Sequence, residues 1–430
     1  MKKKFHSLTV AFLVIAFSVV FVLTASNISA NASSSYDAKI VNQTKRRDNI
    51  YSSCPGSSTR GVGVNFSARS YNNHYVRVIS TRKTKAGTFC YVRYYSTYLG
   101  WIRVGGLKKS SISAVASSAM ARYDLTGSVL LNYAGPGHQA VLARGYANKA
   151  KKIRNTAENK EAYPLASVQK VMTGAMIQQL IASKKLSPYT RLSRFYPHIR
   201  YSSYITIQRM LSMTSGIVST SGYWPSHVLS ESKAFSNIQH HINSTGSNGF
   251  NYSDANFVLL AGIITKVTHK SYAQNLKSRI LKPMHMNNTF IAGEKTGKEI
   301  IPISYKQSGY HGAKRLSMAH ESTIVGAGNV YSSVQDFAAS EKEISGGKIL
   351  TWHQYKSLLS YGSYYSGGNY VNIPGIKHSH GTFGGTGFSA DMYGDLNNYH
   401  LAVVFTNSPL KNHYDNKQFV ITMYTIAKYY

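Results

Sequence analysis

The feature that most constrains this chain is the stretch 166–174, which continues without interruption into the apolar segment 175–181. Ser167 and Lys170 lie three residues apart in it, and residues i and i+3 of a helix share one face. The surrounding side chains are apolar on most of the helix circumference, which predicts a buried helix. Burial favours the neutral, proton-accepting form of a lysine amine. The stretch therefore predicts a serine nucleophile with an adjacent base, at a helix start whose unpaired N–H groups can hold an oxyanion.

The bare pattern Ser-x-x-Lys is weak on its own, because a serine that caps a helix and a lysine that extends into solvent also satisfy it. It recurs at Ser80/Lys83, Ser230/Lys233, Ser345/Lys348 and Ser408/Lys411. Among these copies, that at Ser167 is the one placed at the start of a long apolar helix, just after Pro164. Context therefore favours Ser167 and Lys170.

Three further segments follow in a familiar order: 205–216, 252–260 and 326–333. With 166–174 they resemble the serine hydrolases of the penicillin-binding-protein and class C β-lactamase superfamily, from roughly Ala119 to the C-terminus. The resemblance implies that Ser167 is the nucleophile and Lys170 its base. It also implies that Tyr252, at the place of the family's Y-x-N tyrosine, relays a proton to the leaving group.

The order of predicted elements indicates the same fold class. Strand patterns at 127–131 and 139–146 flank a turn at 135–137, and another at 400–406 precedes a helix from about 416 to 427. Mostly helices lie between these strands. We therefore expect an α/β (α+β), β-lactamase/transpeptidase-like domain over 119–430, with an antiparallel sheet flanked by helices and a helical subdomain.

The N-terminus has the pattern of an export signal. Lys2, Lys3 and Lys4 precede an apolar run from Leu8 to Ala25, and 30–32 has the small-x-small form of a cleavage site. We expect a signal peptide over 1–32, a secreted protein at the cell wall, and no membrane span after cleavage. An uncleaved anchor is the alternative, because the run is just long enough to cross a bilayer.

The charge balance points to a polyanionic partner. The 430-residue chain has 49 Lys and Arg against 16 Asp and Glu, a formal net charge of +33. Such a field attracts polyanions. For an exported protein we expect teichoic acid, lipoteichoic acid and peptidoglycan as partners rather than nucleic acid. The alternative is that the positive charge only keeps the protein soluble.

Residues 33–109 read as a small all-β module of short strands rich in β-branched and aromatic residues, punctuated by glycines. With the closing segment 99–104 they resemble a GW-type, SH3-like wall-binding module, whose relatives attach exported enzymes to lipoteichoic acid. The module contains Cys54 and Cys90, and a disulfide and two buried thiols are equally compatible with the sequence. Residues 110–118 are small and polar, and we expect the linker and the start of the first helix of the next domain there.

The second motif departs from the family, because its third residue is Asp254 instead of asparagine. An asparagine can donate to the acyl carbonyl of a peptide substrate, whereas an ionised aspartate can only accept. A D-alanyl ester carries a free ammonium that would suit Asp254. A helix N-cap is the competing role.

The third motif, Lys-Thr-Gly or His-x-Gly in relatives, is missing from 377–389. Counting back from Gly387-Phe388 puts its first position on Gly381, or on His380 if one residue is inserted. We expect substrate binding by His380, Gly381, Thr382 and Phe383, without an obvious cation for a substrate carboxylate. In the loss of the third motif and in the aspartate at the third position of the second motif, the chain resembles the teichoic-acid D-alanyl esterases of the superfamily.

The sequence thus predicts an exported serine hydrolase, most closely a D-alanyl esterase acting on teichoic acid through an acyl-enzyme. A D,D-carboxypeptidase and a catalytically idle wall-binding protein are the alternatives. The sequence suggests no cofactor and no metal site, since the adjacent His240 and His241 would point in different directions.

Overall fold

A computed structural model describes residues 35–41, 43, 49–57, 62–133, 137–220, 225–294, 297, 299–305, 315–410 and 415–430. The predicted signal peptide, 1–32, lies outside these ranges, as do Gly135 and Pro136 of the predicted turn. Within them, no helix combines the length and the apolar character that a membrane span requires.

The N-terminal unit is a seven-stranded antiparallel sheet with the strand order β3-β2-β6-β5-β4-β1-β7. Its strands are β1 Tyr36–Ile40, β2 Asn49–Tyr51, β3 Val64–Ser67, β4 Tyr75–Thr84, β5 Gly87–Tyr94, β6 Thr97–Arg103 and β7 Leu107–Lys109. Alternate side chains of β4 and β5, such as Val76, Val78 and Val92, meet in a small core of their own. The predicted all-β region is therefore present.

The two cysteines of this unit are separate buried thiols, and the structure contains no bond between Cys54 and Cys90. The Cys90 sulfur instead contacts the hydroxyl groups of Tyr36 at 3.6 Å and Thr81 at 3.5 Å. Of the two readings that the sequence left open, the structure has the one without a disulfide.

The connection to the second unit is shorter than the predicted 110–118. β7 ends at Lys109, and helix α1, Ile112–Arg122, begins after Ser111, whose hydroxyl accepts the Ala114 N–H and caps it. The polar serines that suggest a linker lie on the exposed side of α1, whereas its other side is buried. Most of 110–118 is therefore helix.

The second unit contains a second seven-stranded antiparallel sheet with the order β17-β18-β19-β20-β21-β8-β9. The strands after β7 are β8 Gly127–Asn132, β9 Gln139–Arg144, β10 Tyr146–Asn148, β11 Ile153–Arg154, β12 Tyr163–Pro164, β13 Ile217–Ser219, β14 Ile242–Ser244, β15 Phe290–Ile291, β16 Val330–Ser332, β17 Tyr365–Ser366, β18 Asn369–Ile373, β19 Ile376–Thr382, β20 Ser389–Asp395 and β21 Leu401–Thr406. The predicted strands near 127, 139 and 400 are thus β8, β9 and β21. The first and last strands of this sheet along the chain, β8 and β21, pair with each other next to the edge strand β9.

Helices cover both faces of this sheet. After α1 they are α2 Lys170–Ala182, α3 Ile207–Leu211, α4 Glu231–His240, α5 Asp254–Thr268, α6 Tyr272–Leu276, α7 Met318–Glu321, α8 Val334–Ser345, α9 Trp352–Leu358 and α10 Asn416–Tyr429, with a π turn at Lys277–Leu281 and 3-10 turns at Ala68–Tyr71, Val104–Gly106, Ala166–Gln169 and Leu192–Arg194. α1 and α10 pack on one face through Val129, Leu131 and Val404. The larger core on the other face contains α2 and α5.

α2 is the central helix of the larger core, as its apolar circumference predicts. Ten of its thirteen residues are buried. A methyl group on Gly174 would lie 2.3 Å from the Gly367 carbonyl oxygen, so the helix approaches the β17–β18 turn as closely as backbone allows. This contact fixes the depth at which the N-terminus of α2 meets the sheet.

Candidate active site

Ser167 lies in the 3-10 turn that leads directly into α2, and Lys170 is the first residue of that helix. The Lys170 Nζ and Ser167 Oγ atoms are 2.9 Å apart, so the contact predicted from the spacing is present. Ala166, just before the serine, has a φ of 46°, a left-handed conformation that costs a non-glycine residue about 1–3 kcal/mol. The structure therefore maintains a strained turn to present Ser167.

A second segment, 326–330, is fixed against this turn by buried polar contacts. The Gln169 amide donates to Asn329 Oδ1 at 3.1 Å and its Oε1 accepts the Val330 N–H at 2.9 Å. Thr173 donates to the Gly326 carbonyl at 2.6 Å. These bonds place the Ala327 carbonyl oxygen 2.9 Å from Lys170 Nζ.

The Lys170 amine is surrounded by three oxygen atoms. Besides Ser167 Oγ and the Ala327 carbonyl, it contacts Asp254 Oδ1 at 2.6 Å, and the lysine side chain is fully buried. A carbonyl and a carboxylate can only accept hydrogen bonds, whereas a serine hydroxyl can also donate. Among these three oxygen atoms, Ser167 Oγ is therefore the one that can donate a hydrogen bond to a neutral Lys170 amine.

The resting charge of Lys170 differs from the sequence expectation. Burial disfavours its charged form, but the Asp254 carboxylate, with a smaller effect of the Tyr252 phenol, outweighs burial and raises the pKa of Lys170. The expectation of a neutral amine considered only desolvation. The carboxylate that reverses it belongs to a helix 84 residues later in the chain.

Asp254 occupies the first position of α5, where a negative charge is favoured by the helix dipole. Its Oδ1 atom is buried against Lys170, whereas the side chain as a whole is 47% exposed. The outer part of the carboxylate therefore remains open on the side away from the lysine. The cap of α5 is Ser253, so the competing role of Asp254 as the N-cap is not observed.

Strand β19 passes alongside Ser167 at Gly381. A methyl group there would lie 2.8 Å from the Ser167 backbone nitrogen and 2.5 Å from the Leu165 carbonyl oxygen, so only glycine fits. Side chains alternate along a strand, and His380 therefore lies on the opposite face. There it pairs through Nδ1 with the buried carboxylate of Asp391, its partner on β20, which raises the pKa of His380.

The strand register therefore directs the His380 side chain away from Ser167, whereas the expected substrate contact had considered only its place in the sequence. On the face that carries Gly381, the next side chains are Ser379 and Lys377. Ser379 donates to the Gly368 carbonyl, and Lys377 forms a buried pair with Glu341 at 2.6 Å. Within β19, which the structure describes completely, this face presents no free cation to Ser167.

The two remaining residues of the expected substrate-binding set differ in exposure. Thr382 is exposed at the end of β19, and Phe383 is buried and contacts the His320 ring at 6.1 Å. Burial lowers the pKa of His320, and the nearby Asp254 charge opposes this. Sequence reasoning missed His320, since no motif marks it.

Tyr252 lies at the site, with the Lys170 Nζ atom 5.2 Å from its ring centroid. Its ring contacts Tyr365 at 5.7 Å and is parallel to Tyr370 at 6.5 Å. Tyr365 and Tyr370 come from β17 and β18, and sequence reasoning missed them because the chain has 33 tyrosines and no spacing rule separates these two.

No metal-binding cluster of three or more His, Cys, Asp or Glu side chains occurs within the part of the chain that the structure describes. The site is suited to nucleophilic acyl transfer, since Ser167, Lys170, Asp254 and Tyr252 supply a potential nucleophile, a potential base, a negative charge and a phenol.

Two family models match the chain. Residues 112–421 match the model described as Beta-lactamase, and residues 30–108 match the GW (Gly-Tryp) dipeptide domain. Their boundary falls at the connection between β7 and α1.

Curated relatives are similar at about one quarter identity. The putative penicillin-binding protein PbpX of Bacillus subtilis is 26% identical over 246 residues, 56% of this chain and 61% of that protein. The teichoic acid D-alanine hydrolase of Staphylococcus aureus is 25% identical over 227 residues, 50% of this chain and 51% of that protein. The matched region thus spans little more than half the length of these relatives.

Solved structures share the fold. FmtA from Staphylococcus aureus superimposes with a TM-score of 0.63 at 23% identity, over 74% of this chain and 87% of that one. The D-amino acid amidase from Ochrobactrum anthropi SV3 gives a TM-score of 0.60 at 19% identity, over 74% and 96%.

Proposed function

Because the chain belongs to the beta-lactamase family and carries a GW domain, we propose that it is an exported serine hydrolase that removes D-alanine esterified to teichoic acid. Ser167 is the nucleophile, Lys170 the base, Tyr252 the proton relay and Asp254 the receptor for the substrate ammonium. The N-terminal unit holds the enzyme at the anionic polymer through its excess of Lys and Arg.

In the proposed reaction, Ser167 Oγ attacks the ester carbonyl while the Lys170 amine takes the hydroxyl proton. The Ser167 N–H and one N–H from 381–384 hold the oxyanion. The tetrahedral intermediate collapses, and the polymer alcohol leaves with a proton delivered through Tyr252. Water then cleaves the acyl-serine by the same steps and releases D-alanine.

The Asp254 carboxylate links substrate choice to activation. It stabilises the Lys170 ammonium, which cannot accept a proton, so the base must first lose one. A substrate ammonium beside the open side of Asp254 weakens the attraction between Asp254 and Lys170 and favours the neutral amine. The proposed substrate therefore promotes formation of the base that attacks it.

One observation carries this proposal: a half-exposed carboxylate lies 2.6 Å from the buried amine that contacts Ser167. An ester of D-alanine presents a cation to that carboxylate. A peptidoglycan stem ends in a carboxylate instead, for which a cation would be needed, and the Lys377 ammonium on β19 is neutralised by Glu341. The charges thus favour the ester.

The direct test is release of free D-alanine from D-alanylated lipoteichoic acid. We expect release by the intact protein and none above background with Ser167→Ala, which removes only the attacking oxygen. A protein that binds the polymer but releases no D-alanine would be the idle wall-binding protein.

A D,D-carboxypeptidase is the second candidate, and the similarity to proteins named penicillin-binding proteins favours it. A fluorescent penicillin that labels the intact protein but not Ser167→Ala, together with D-alanine release from a stem pentapeptide, would support it. Our proposal expects neither at rates comparable to the ester.

A further inference from the structure

A row of aromatic rings leads from the candidate active site to the protein surface. Tyr370 lies parallel to Tyr252 at 6.5 Å, Tyr364 contacts Tyr370 at 5.7 Å, and Phe250 contacts Tyr364 at 4.7 Å. We call Phe250, Tyr364 and Tyr370 the aromatic shelf. The shelf is continuous with the site and is used by no step of the proposed reaction.

The outer rings of the shelf are unusually open for large side chains. Phe250 is 42% exposed and Tyr364 is 45% exposed. Behind them Tyr365, which is buried, contacts Tyr370 at 5.0 Å and Phe250 at 6.4 Å and supports both. The structure thus keeps adjacent aromatic faces in contact with solvent on a rigid backing, as a ligand site does.

Its position indicates which part of a substrate the shelf would meet. In the proposed reaction Tyr252 protonates the departing alcohol, so the rings that extend from Tyr252 lie beside the leaving group. The D-alanyl group occupies Ser167 and Asp254 and is too small to extend along the row. The occupant is therefore a part of the polymer that carries the ester.

The chemistry of the rings selects among the parts of such a polymer. An aromatic face carries a negative quadrupole, so it attracts C–H edges and disfavours phosphate oxygens. A sugar ring presents C–H groups on its faces and hydroxyl groups at its rim, which tyrosine hydroxyls can bind. We propose that the aromatic shelf is a leaving-group subsite that stacks a sugar substituent of the esterified polymer.

This inference rests on the proposed function. Three substrates distinguish a failure of the aromatic shelf as a subsite from a failure of the proposed function. They are a D-alanyl ester of a short alcohol, D-alanylated lipoteichoic acid with hexose substituents, and the same polymer without them. For Phe250→Ala/Tyr364→Ala we expect kcat/KM to fall about tenfold on the hexose-bearing polymer, mainly through KM. We expect changes within about twofold on the other two substrates.

Two control variants accompany this pair. Phe250→Tyr/Tyr364→Phe keeps both rings and should keep the preference for the hexose-bearing polymer. Tyr399→Ala removes a ring of equal exposure, 44%, that contacts His400 instead of the shelf, and should change nothing. Binding of the hexose-bearing polymer to Ser167→Ala protein, with and without the shelf substitutions, gives a readout independent of turnover.

The outcomes are distinct. An unchanged KM and affinity for the hexose-bearing polymer in Phe250→Ala/Tyr364→Ala would overturn the shelf as a subsite. An equal loss on both polymers would mean that the rings bind the polyol chain, which also overturns the assignment to sugar. If the wild-type protein hydrolyses none of the three substrates, the proposed function fails, whatever the binding experiment shows.

Discussion

Replacement of Asp254 by asparagine tests the charge relation at the centre of the site. The change keeps the size of the side chain but removes the carboxylate that contacts Lys170 at 2.6 Å. A hydrogen bond to a charged group contributes about 1.5–3 kcal/mol. Because Asp254 is 47% exposed, we take the lower end for its contact with a substrate ammonium, which corresponds to a loss of about tenfold in kcat/KM.

The same substitution weakens substrate binding but makes the Lys170 base easier to deprotonate. The Asp254 carboxylate raises the pKa of Lys170, and the acidic limb of kcat/KM follows the loss of the Lys170 proton in the free enzyme. A neutral asparagine removes that attraction, so the pKa of Lys170 falls and the acidic limb moves to lower pH. The two enzymes must therefore be compared through the ratio of kcat/KM for a charged and an uncharged substrate, because the change in the base affects both substrates equally.

The assay is a pair of pH profiles of kcat/KM for each enzyme, with a D-alanyl ester of a short alcohol and its N-acetyl derivative. For Asp254→Asn we expect the ratio of kcat/KM for the free-amine ester to kcat/KM for the N-acetyl ester to fall about tenfold at pH values below about 8, where the substrate amine is charged. The acidic limb should move to lower pH on both substrates. An unchanged ratio would refute recognition of the ammonium, and an unmoved limb would refute the coupling to Lys170.

Further predictions concern β19 and the N-terminal unit. In Gly381→Ala the new methyl group lies 2.8 Å from the Ser167 nitrogen. Overpacking should lower the free energy of unfolding in urea by about 1–3 kcal/mol, and kcat should fall by more than this loss of stability explains. Lys377→Met leaves Glu341 buried and unpaired, so urea unfolding should show a loss of about 3–5 kcal/mol, largely restored in Lys377→Met/Glu341→Leu; an additive double variant would contradict this. Sedimentation of the intact protein with lipoteichoic acid should weaken steeply with added salt, and salt-insensitive binding would contradict an electrostatic attachment.

Local rules account for what the sequence could predict at the site. The contact between Ser167 and Lys170 follows from helical spacing alone, and the burial of Lys170 follows from the apolar circumference of α2. The charge of Lys170 could not be predicted in this way. It depends on Asp254, and only the packing of α5 against α2 brings that carboxylate to the amine.

Strand register explains what the sequence could not resolve around the third motif. Counting residues from Gly387 left Gly381 and His380 as alternatives, and alternation along β19 separates them only when the contact with the Ser167 turn is known. The aromatic shelf likewise combines Phe250 from the loop before α5, Tyr364 from the loop before β17 and Tyr370 from β18. Spacing within one segment cannot reveal such a surface.

The two departures from the family pattern have one electrostatic explanation under the proposed function. A substrate that ends in a carboxylate requires a cation on the enzyme, whereas a substrate with a free ammonium requires an anion. Here the lysine on the relevant face of β19 is neutralised in the core by Glu341, and the half-exposed charge near Ser167 is the Asp254 carboxylate. The site has thus exchanged the sign of the charge that it offers to substrate. Asp254→Asn removes the anion that binds a substrate ammonium but supplies no cation for a substrate carboxylate. This substitution alone should therefore weaken the esterase without creating a carboxypeptidase.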